Sequence, residues 1–291
     1  MLGSARSVLQ CGIMKRICLL IGLCQFLGMC IPSLHASARN TTIDNSPENS
    51  LKEQLDRDNL PEHIAIVMDG NGRWAKKQGK PRIFGHQNAI QSVREVVEGC
   101  GELGIPYLTL YAFSVDNWKR PQVEVESLMS LIVTTIDQEL VELVQKNVRL
   151  NFIGDLTSLP RKCQQAIQRA IRASRHNRGL ILTIALSYSG SWDLTEAAKA
   201  IARDVKAGSL ALQDINVPLF KQYLSTKGMS DPALLIRTSG EMRLSNFLLG
   251  QLAYTELFFT PVLWPDFRKC DLYEALLAYQ KRERRFGNSD S

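Results

Sequence analysis

The sequence predicts an α/β fold in which a central, mainly parallel β-sheet is flanked by helices on both faces. Short apolar runs rich in β-branched and aromatic residues recur along the chain, as at residues 63–68 and 107–113. Such runs are typical of buried strands. Segments with apolar residues at helical spacing separate them, as at residues 83–103 and 123–146. Strands that alternate with helices of this length favour parallel pairing and helices on both faces of the sheet.

Taken in order, the chain from residue 61 onward alternates between these two patterns. The predicted strands are residues 63–68, 107–113, 148–153, 180–186, 234–236 and 256–259. The predicted helices are residues 83–103, 123–146, 161–176, 192–206 and 266–285. Apolar residues of the first two helices fit either an ordinary core or the wall of a tunnel, and both alternatives stay open. With no internal repeat in this region, one folded domain is predicted over residues 61–291.

Residues 1–60 differ from the rest and are predicted to be a leader and linker. A basic pair precedes an apolar run at residues 17–31, and small residues follow at 36–38. This order of basic, apolar and small residues is that of a secretory signal. Residues 39–60 are polar without periodicity, as in a linker. Three alternatives stay open: a signal or membrane anchor, an organelle-type leader, and a translation start further downstream.

Composition narrows the possible functions. The net charge of +6 is spread along 291 residues that are 45% hydrophobic and 22% charged. This mild basicity suits an anionic small substrate or an anionic membrane, and it argues against nucleic-acid binding. The seven cysteines include no Cys-x-x-Cys pair and no Cys/His metal spacing. The sequence therefore argues against a zinc site and a disulfide framework, and it fits a reducing compartment.

The stretch from residue 63 to residue 74 holds the first candidate site. An apolar run ends in Asp69-Gly70-Asn71-Gly72-Arg73, and ligands of open α/β sheets bind beyond the carboxyl ends of the strands. Glycines allow close approach of an anion to the backbone, and arginine suits phosphate. A carboxylate beside a bound anion is expected if a metal ion lies between the carboxylate and the anion. The alternative is an ordinary β-turn, for which Asp, Asn and Gly are common residues.

Two further loops carry polar and cationic groups after predicted strands. The loop Ser114-Val115-Asp116-Asn117-Trp118-Lys119-Arg120 offers a hydroxyl, an amide, an aromatic ring and a cation, or it is simply a capped loop before a helix. The loop at residues 237–246 places two arginines and two serines around a glycine. This set forms a diphosphate clamp if its arginines bind phosphate oxygens in pairs. The alternative for this loop is a surface segment with ordinary salt bridges.

Several separate residues complete the candidate site. Arg82 and His86 lie near the start of a predicted helix, where cations and the helix dipole favour an anion. Glu256 begins a predicted strand and is a candidate second metal ligand beside Asp69, although a solvated strand end is the commoner reason for such a residue. Five arginines are assigned to one sheet edge, namely Arg73, Arg82, Arg120, Arg237 and Arg243. These charges suit two diphosphates with a divalent metal, and the apolar helices suggest two isoprenoid diphosphates being joined.

At residues 63–74, 113–120 and 236–267 the chain resembles the cis-prenyltransferases, most closely bacterial undecaprenyl diphosphate synthases. The resemblance extends over residues 60–287. It implies a parallel-sheet α/β fold rather than the all-helical fold of trans-prenyltransferases. It implies sequential, magnesium-dependent condensation of isopentenyl diphosphate onto an allylic diphosphate, farnesyl diphosphate. The implied product is a long polyprenyl diphosphate, undecaprenyl diphosphate, the lipid-carrier precursor for cell-wall glycan synthesis.

The resemblance also implies a role for individual residues. It makes Asp69 and Asn117 catalytic, and it assigns magnesium to Asp69 and Glu256. It implies that the substrates bind to Gly70, Asn71, Gly72, Arg73, Trp74, Arg82, His86, Ser114, Val115, Asp116, Trp118, Arg120, Arg237, Arg243, Leu244 and Ser245. Asn117 is the proton acceptor proposed for the family, but an amide is a weak base. We therefore expect Asn117 to orient a proton path or a diphosphate oxygen.

The resemblance further implies a homodimer in which Arg285 and Gly287 reach the partner subunit's site. We expect a cytoplasmic enzyme in peripheral contact with the inner membrane face, because isoprenoid diphosphates are made in the cytosol. Two residues depart from the family pattern, since Ser239 and Met242 stand where bacterial relatives often have Gly and His. Neither residue is assigned to an essential phosphate contact. We therefore expect these two departures to affect the rate of the reaction and not its type.

The main alternative is a non-catalytic subunit of the same fold that activates a catalytic partner. That alternative predicts loss of the aspartate or of the Arg-x-Ser-Asn pattern. Asp69 and the group Arg243, Ser245 and Asn246 are all present. A dinucleotide-dependent oxidoreductase would require Gly-x-Gly-x-x-Gly, whereas Arg73 and Trp74 follow the second glycine here.

Overall fold

The computed structural model describes residues 46–283, and within them six strands form one sheet. The strands are β1 His63–Val67, β2 Tyr107–Ser114, β3 Arg149–Ile153, β4 Ile181–Tyr188, β5 Leu234–Arg237 and β6 Glu256–Phe259. Their order across the sheet is β3-β4-β2-β1-β5-β6, and each neighbouring pair is parallel. The predicted parallel sheet is confirmed, and each strand lies within two residues of its predicted bounds.

Helices connect the strands and cover both faces of the sheet. They are α1 Pro47–Glu53, α2 Asn71–Lys77, α3 Arg82–Leu103, α4 Gln122–Gln145, α5 Arg161–Ser174, α6 Gly190–Lys206, α7 Val217–Tyr223 and α8 Lys269–Gln280. The four helices α3 to α6 match their predicted bounds to within two residues. α8 begins later than predicted, because Trp264–Asp266 forms a separate 3-10 turn. Asp271 in the first turn of α8 accepts a hydrogen bond from the backbone of Arg268.

The structure contains three short helices that the sequence did not predict, and one of them lies in the predicted linker. α1 lies within the predicted linker 39–60, with Ser46 as its N-cap. Leu51 and Leu55 pack against the main core, so the folded part begins before residue 61. α2 begins within the predicted loop at residues 69–73, and α7 lies in a segment to which the sequence assigned no element. Each of the three is only seven residues long, too short to display a helical repeat of apolar residues.

The sheet separates two apolar clusters, one on each face, because successive residues of a strand point to opposite faces. Ile64 and Ile66 of β1 join the larger cluster, which α3, α4, α5 and α8 cover. Ala65 and Val67 join the smaller cluster, which includes Phe247 from the segment after β5. The helices on the larger-cluster face are therefore those that also carry the candidate tunnel residues.

The parallel arrangement brings the carboxyl ends of β1, β2 and β5 to one edge of the sheet. Val67 is in register with Tyr111 of β2 and with Arg237 of β5. The segments that follow these three strands contain the predicted site residues from Asp69 to Trp74, from Ser114 to Arg120, and from Arg237 to Ser245. Among the described residues, no helix is long and apolar enough to cross a membrane.

Candidate active site

Asp69 and Arg237 form the centre of the candidate site. They follow β1 and end β5, which are neighbours in the sheet. Arg237 Nη2 lies 2.9 Å from Asp69 Oδ2, and the arginine side chain is only 3% exposed. The other carboxylate oxygen accepts a hydrogen bond from the backbone N–H of Gly70 at 2.7 Å. The carboxylate is 36% exposed, so it is held in place and still open to a ligand.

Thr238 fixes the backbone beneath this ion pair, and the sequence analysis did not single it out. Its hydroxyl donates to the carbonyl of Asp69 at 2.7 Å and accepts from the N–H of Asp69 at 2.9 Å. The backbone N–H of Trp264 donates to the same carbonyl at 3.0 Å. A hydroxyl immediately after an arginine at a strand end was the only signal for this role in the sequence.

The glycines after Asp69 allow two close approaches. Gly70 has a φ of +104°, and a Cβ there would lie 2.9 Å from Cδ2 of Leu263. At Gly72 a Cβ would lie 3.1 Å from Nε of Arg82. The predicted loop therefore ends at Gly70, and Asn71 begins helix α2. As a result, the predicted phosphate-binding residues occupy the first turn of a helix, where backbone N–H groups are unpaired.

A second group of cations lies beside the first turn of α2. Glu124 Oε1 lies 3.3 Å from Nε of Arg82 in an ion pair, and it accepts a hydrogen bond from Nη1 of Arg120 at 3.1 Å. Burial, together with the neighbouring Arg82, lowers the pKa of Arg120 below its usual value, while Asp69 acts in the opposite direction. Asp69 therefore interacts electrostatically with both Arg120 and Arg237. Glu124 neutralises only one of two adjacent positive charges, which leaves this region suited to an anion.

His86 lies between these cations in its neutral form. Burial, and then the charges of Arg120 and Arg82, lower the pKa of its imidazole to about 4. Its Nε2 is buried, and no hydrogen-bond partner is present for it among the described residues. A neutral imidazole with one unpaired nitrogen facing the cavity can hydrogen-bond a ligand there.

The loop after β2 holds its polar residues by internal contacts. Asn117 Oδ1 accepts from the backbone N–H of Ser114 at 3.1 Å. Trp118 Nε1 donates to Ser187 Oγ at 2.9 Å, and its ring packs edge-on against Phe113. Trp118 is therefore part of the packing behind the site. The side-chain oxygen of Asn117 is already occupied, which fits an orienting role better than proton acceptance.

The loop after β5 is built around Arg237. Its Nη1 donates to Ser245 Oγ at 2.7 Å and also to the carbonyl of Arg243. Glu241 pairs with Arg73 at 3.1 Å and with Arg243. Glu241 therefore holds the side chains of Arg73 and Arg243 at the outer rim. The sequence analysis missed Glu241 because its partners are up to 168 residues away in the chain.

Ser239 departs from the family pattern and adopts a left-handed backbone. Its φ is +77°, a conformation that favours glycine. Its hydroxyl and carbonyl accept from Arg73 Nη2 at 2.5 and 2.8 Å. A serine at this position strains the backbone through its Cβ, but its hydroxyl also holds Arg73. Met242, the second departure, is 77% exposed and faces away from the core.

A cavity of about 660 Å³ opens at these groups and extends between the sheet, α3 and α4. Its mouth is lined by twelve of the predicted residues, namely Asp69, Gly70, Asn71, Gly72, Arg82, His86, Ser114, Asp116, Asn117, Arg120, Arg237 and Ser245. Its inner part is mainly apolar, with Ile132 and Leu143 of α4 and Leu182 of β4 among its lining, and Glu139, which is paired with Arg94, also lines it. Ser114 pairs with Tyr188 at one end of β4, and Leu182 lies six residues earlier. The cavity therefore extends about 20 Å along the strands.

Six predicted substrate-binding residues do not line this cavity. They are Arg73, Trp74, Val115, Trp118, Arg243 and Leu244. Arg73 and Arg243 stand at the rim with Glu241. Trp74 Nε1 donates instead to Asp266 at 2.6 Å, and its ring stacks on Phe84. The positions of Arg73 and Trp74 follow from contacts with Glu241 and Asp266, which are distant in the sequence, so local patterns could not predict them.

Glu256 is not brought to Asp69 within the chain, so the predicted pairing of these two carboxylates in one metal site is wrong for a single chain. Leu234 is in register with both Ile64 and Glu256, which places Glu256 at the opening residues of the strands. Asp69 lies beyond the other end of β1, on the order of 15 Å along the strand direction. Glu256 pairs instead with Arg282 at 2.7 Å.

Within residues 46–283, no group of three or more His, Cys, Asp or Glu side chains is arranged to hold a metal ion. A metal at Asp69 would therefore need oxygen ligands from a substrate or from water. Arg285 and Gly287, predicted to reach a partner subunit, lie outside the described residues.

Comparison with known proteins gives a consistent result. The family model described as "Putative undecaprenyl diphosphate synthase" matches residues 67–287. An isoprenyl transferase of Chlorobaculum tepidum is 53% identical over 230 residues, which cover 79% of this chain and 87% of that protein. The (2E,6E)-farnesyl-diphosphate-specific ditrans,polycis-undecaprenyl-diphosphate synthase of Pasteurella multocida is 49% identical over 237 residues, which cover 81% of this chain and 99% of that protein.

A solved structure supports the same relationship at the level of the fold. Lavandulyl diphosphate synthase from Lavandula x intermedia, in complex with dimethylallyl diphosphate, matches with a TM-score of 0.78 and 40% sequence identity. The match covers 79% of this chain and 100% of that one.

Proposed function

The chain belongs to the cis-prenyltransferase family, and from this membership we propose that it elongates farnesyl diphosphate with isopentenyl diphosphate to undecaprenyl diphosphate. The observation that carries this proposal is an ion pair, Asp69–Arg237, at the mouth of an apolar cavity that a second cation cluster flanks. The relative from Pasteurella multocida supports both the allylic substrate and the product. The product would serve as the lipid-carrier precursor for cell-wall glycan synthesis.

We place the allylic diphosphate at the first turn of α2, where Gly70, Asn71 and Gly72 line the mouth. Arg82 and His86 stand beside this turn and add hydrogen-bond donors. The hydrocarbon tail then extends into the apolar inner cavity, where burial removes its surface from water. In this arrangement Arg73 contacts the diphosphate from the rim after release from Glu241.

We place isopentenyl diphosphate beside Arg237 and Ser245, with Arg120 on the opposite side. Arg237 Nε is buried without a partner among the described residues, so the guanidinium retains a donor that is not yet used. Bidentate contacts between arginine and diphosphate oxygens suit this geometry. Arg243 joins from the rim, where its side chain is 62% exposed.

Magnesium fits the donor set around Asp69. Mg²⁺ commonly takes one or two protein carboxylates together with substrate phosphates and water. Asp69 offers a half-exposed carboxylate between two regions suited to diphosphate. When bound, Mg²⁺ would supply neutralisation of charge on the departing diphosphate.

The proposed reaction breaks the allylic carbon–oxygen bond and forms one carbon–carbon bond with isopentenyl diphosphate, which then loses a proton. Negative charge develops on the departing diphosphate, and Arg73 and Arg82 are positioned to stabilise it. Arg237 and Ser245 orient the second substrate, since a fixed approach removes much of the entropic barrier. Asn117 and Ser114 lie at the mouth and orient the path of the released proton.

We further propose a homodimer, in which Arg285 and Gly287 approach the partner's site. We also propose a cytoplasmic location with peripheral contact at the inner membrane face. Family membership and the apolar character of the product support these assignments.

The experiment is incorporation of labelled isopentenyl diphosphate by the full chain with farnesyl diphosphate, with and without a chelator. The expected result is a ladder of products that ends at a long polyprenyl diphosphate and disappears when magnesium is removed. If the folded protein incorporates no label, the non-catalytic subunit becomes the better assignment. Incorporation that persists under chelation would contradict the magnesium assignment while leaving the reaction intact.

A further inference from the structure

The segment from the start of α5 to the turn before β4 concentrates positive charge. Residues 161–178 contain six Lys and Arg residues and no Asp or Glu. The six are Arg161, Lys162, Arg169, Arg172, Arg175 and Arg178, and all are exposed. The complete chain has a net charge of only +6, so this segment carries as much net charge as the whole protein. We call these six residues the α5 basic face.

Most of this charge is not neutralised by the protein. Arg169 pairs with Asp137 of α4 at 2.7 Å. The other five cations of the α5 basic face have no ion pair with a carboxylate among residues 46–283. Arg149 at the start of β3 is likewise exposed, and its backbone N–H donates to the carbonyl of Leu180 at 2.9 Å. Arg149 therefore adds a further cation beside the end of this segment.

Exposed apolar side chains accompany the cations. Ile171 is 38% exposed next to Arg172, and Val141 of α4 is 66% exposed. Val141 lies one helical turn after Asp137, on the side of α4 that pairs with Arg169. The apolar face of α5 is buried in the core, so the interaction expected of its exposed side is electrostatic: clusters of Lys and Arg are attracted to anionic lipid headgroups.

The α5 basic face ends beside the inner end of the cavity. Asn177 Nδ2 donates to the carbonyls of Val144 and Val148 at 3.1 and 2.8 Å. The backbone N–H of Arg178 donates to Asn147 Oδ1 at 3.0 Å. Residues 144–149 connect Leu143 to Leu150, and both of these leucines line the cavity. Arg175 and Arg178, at the end of the α5 basic face, thus lie next to the end of the cavity that is remote from Asp69.

We propose that the α5 basic face docks the protein on an anionic lipid bilayer and so places the inner, apolar end of the cavity beside the membrane. This inference rests on the proposed function, because a polyprenyl product belongs in a bilayer. A nucleic acid is the less suitable partner. Residues 161–178 contain no Phe, Trp or Tyr, and aromatic stacking is a usual part of single-strand binding.

The experiment is co-sedimentation of the full chain with vesicles of equal parts phosphatidylglycerol and phosphatidylcholine, compared with pure phosphatidylcholine. The test variant is the triple substitution Arg172→Gln, Arg175→Gln and Arg178→Gln. The control is the triple substitution Lys199→Gln, Arg203→Gln and Lys206→Gln, which removes three cations from the second half of α6. Both variants keep residues 1–45, so any membrane affinity of that segment is the same in both.

The expected result is a loss of binding to anionic vesicles of about fivefold per removed charge, and about a hundredfold for the test variant. The control variant keeps its binding within a few fold. The difference between the variants shrinks at high salt, because the screening length falls from about 10 Å at 0.1 M to about 3 Å at 1 M. Thermal unfolding of both variants checks that the fold is retained.

Equal binding by the test and control variants would overturn the proposal. The proposal would also be overturned if vesicle binding by the wild-type protein did not depend on phosphatidylglycerol. Tighter binding of the wild-type protein to a labelled RNA oligomer than to anionic vesicles would overturn it as well. The vesicle measurement contains no substrate, so it is separate from the proposed function. Docking without prenyl transfer would contradict the function alone, whereas prenyl transfer without docking would contradict this inference alone.

Discussion

Asp69 Oδ2 and Arg237 Nη2 lie 2.9 Å apart at the carboxyl ends of two adjacent parallel strands. The arginine is buried and also donates to Ser245. One guanidinium therefore connects the aspartate of the first motif to the serine of the last, although 168 residues separate Asp69 from Arg237. This contact joins the two regions to which we assign the two diphosphates.

The close approach of α3 to α2 gives a prediction about Gly85. An alanine Cβ there would lie 2.0 Å from the carbonyl oxygen of Asn71. We expect Gly85→Ala to destabilise the protein by about 1–3 kcal/mol and to lower activity, because Asn71 begins the α2 turn at the cavity mouth. The measurement is denaturant unfolding together with label incorporation.

The matched control for Gly85 lies in the same helix. A Cβ at Gly101 meets no atom within 4 Å. Gly101→Ala should therefore stabilise the helix by about 0.5–1 kcal/mol, through reduced backbone freedom of the unfolded chain, and leave activity unchanged. Equal effects of the two substitutions would contradict the importance of the contact with Asn71.

The lowered pKa of His86 gives a prediction about anion binding. In the free protein the pKa of His86 is about 4 because of burial and the charges of Arg120 and Arg82. A bound diphosphate places negative charge beside the imidazole and favours its protonated form. We expect inorganic diphosphate to raise the pKa of His86 by at least about one unit, measured by the NMR titration of its ring carbons.

His63 serves as the internal reference for this titration. Its pKa is also about 4, mainly because of burial. His63 is the first residue of β1, so it lies at the end of the strand opposite to Asp69. Its ring nitrogens form hydrogen bonds with Thr109 and with the carbonyl of Ser230. Its titration should not respond to diphosphate. A parallel shift of both histidines, or none at His86, would argue against anion binding at this position.

The inner end of the cavity gives a prediction about product length. Leu143 of α4 lines that end, and its removal should extend the available space. We expect Leu143→Ala to shift the product distribution toward longer chains, with a loss of stability on the order of 2 kcal/mol. Chromatography of the dephosphorylated products by chain length measures this shift.

Leu140→Ala is the control for product length. Leu140 lies one turn earlier on α4 and packs against the same core, but it does not line the cavity. It should lose similar stability without any change in product length. If both variants, or neither, lengthen the product, the cavity does not set the length in the way its shape suggests.

The fold and most of the cavity mouth were predictable from the sequence, because both depend on local patterns. Apolar runs that end near Asp69 and at Arg237 identify strand ends at the same edge of the sheet once parallel pairing is assumed. The partners of the site arginines were not predictable. Glu241 and Thr238 act on groups more than 160 residues away, and no local pattern carries such contacts.

The separation of Glu256 from Asp69 within one chain has a different physical origin. A carboxylate that begins a parallel strand and one that follows a parallel strand lie at opposite edges of the sheet. Glu256 opens β6, whereas Asp69 follows β1. The two positions in their strands already carried this information, whereas chemical type and the family resemblance had suggested a shared metal site. The positions of Trp74 and Trp118 were not predictable for a third reason. Their hydrogen bonds to Asp266 and Ser187 depend on tertiary packing.

The turnover of Asp69→Ala tests the central assignment most directly, with Asp155→Ala as its control. Asp155 also follows a strand of the sheet, but its carboxylate caps the turn at Thr157 and Ser158 and does not line the cavity. We predict that Asp69→Ala lowers turnover at least a hundredfold while thermal unfolding stays cooperative, and that Asp155→Ala stays active. Near-normal turnover of Asp69→Ala would contradict the assignment.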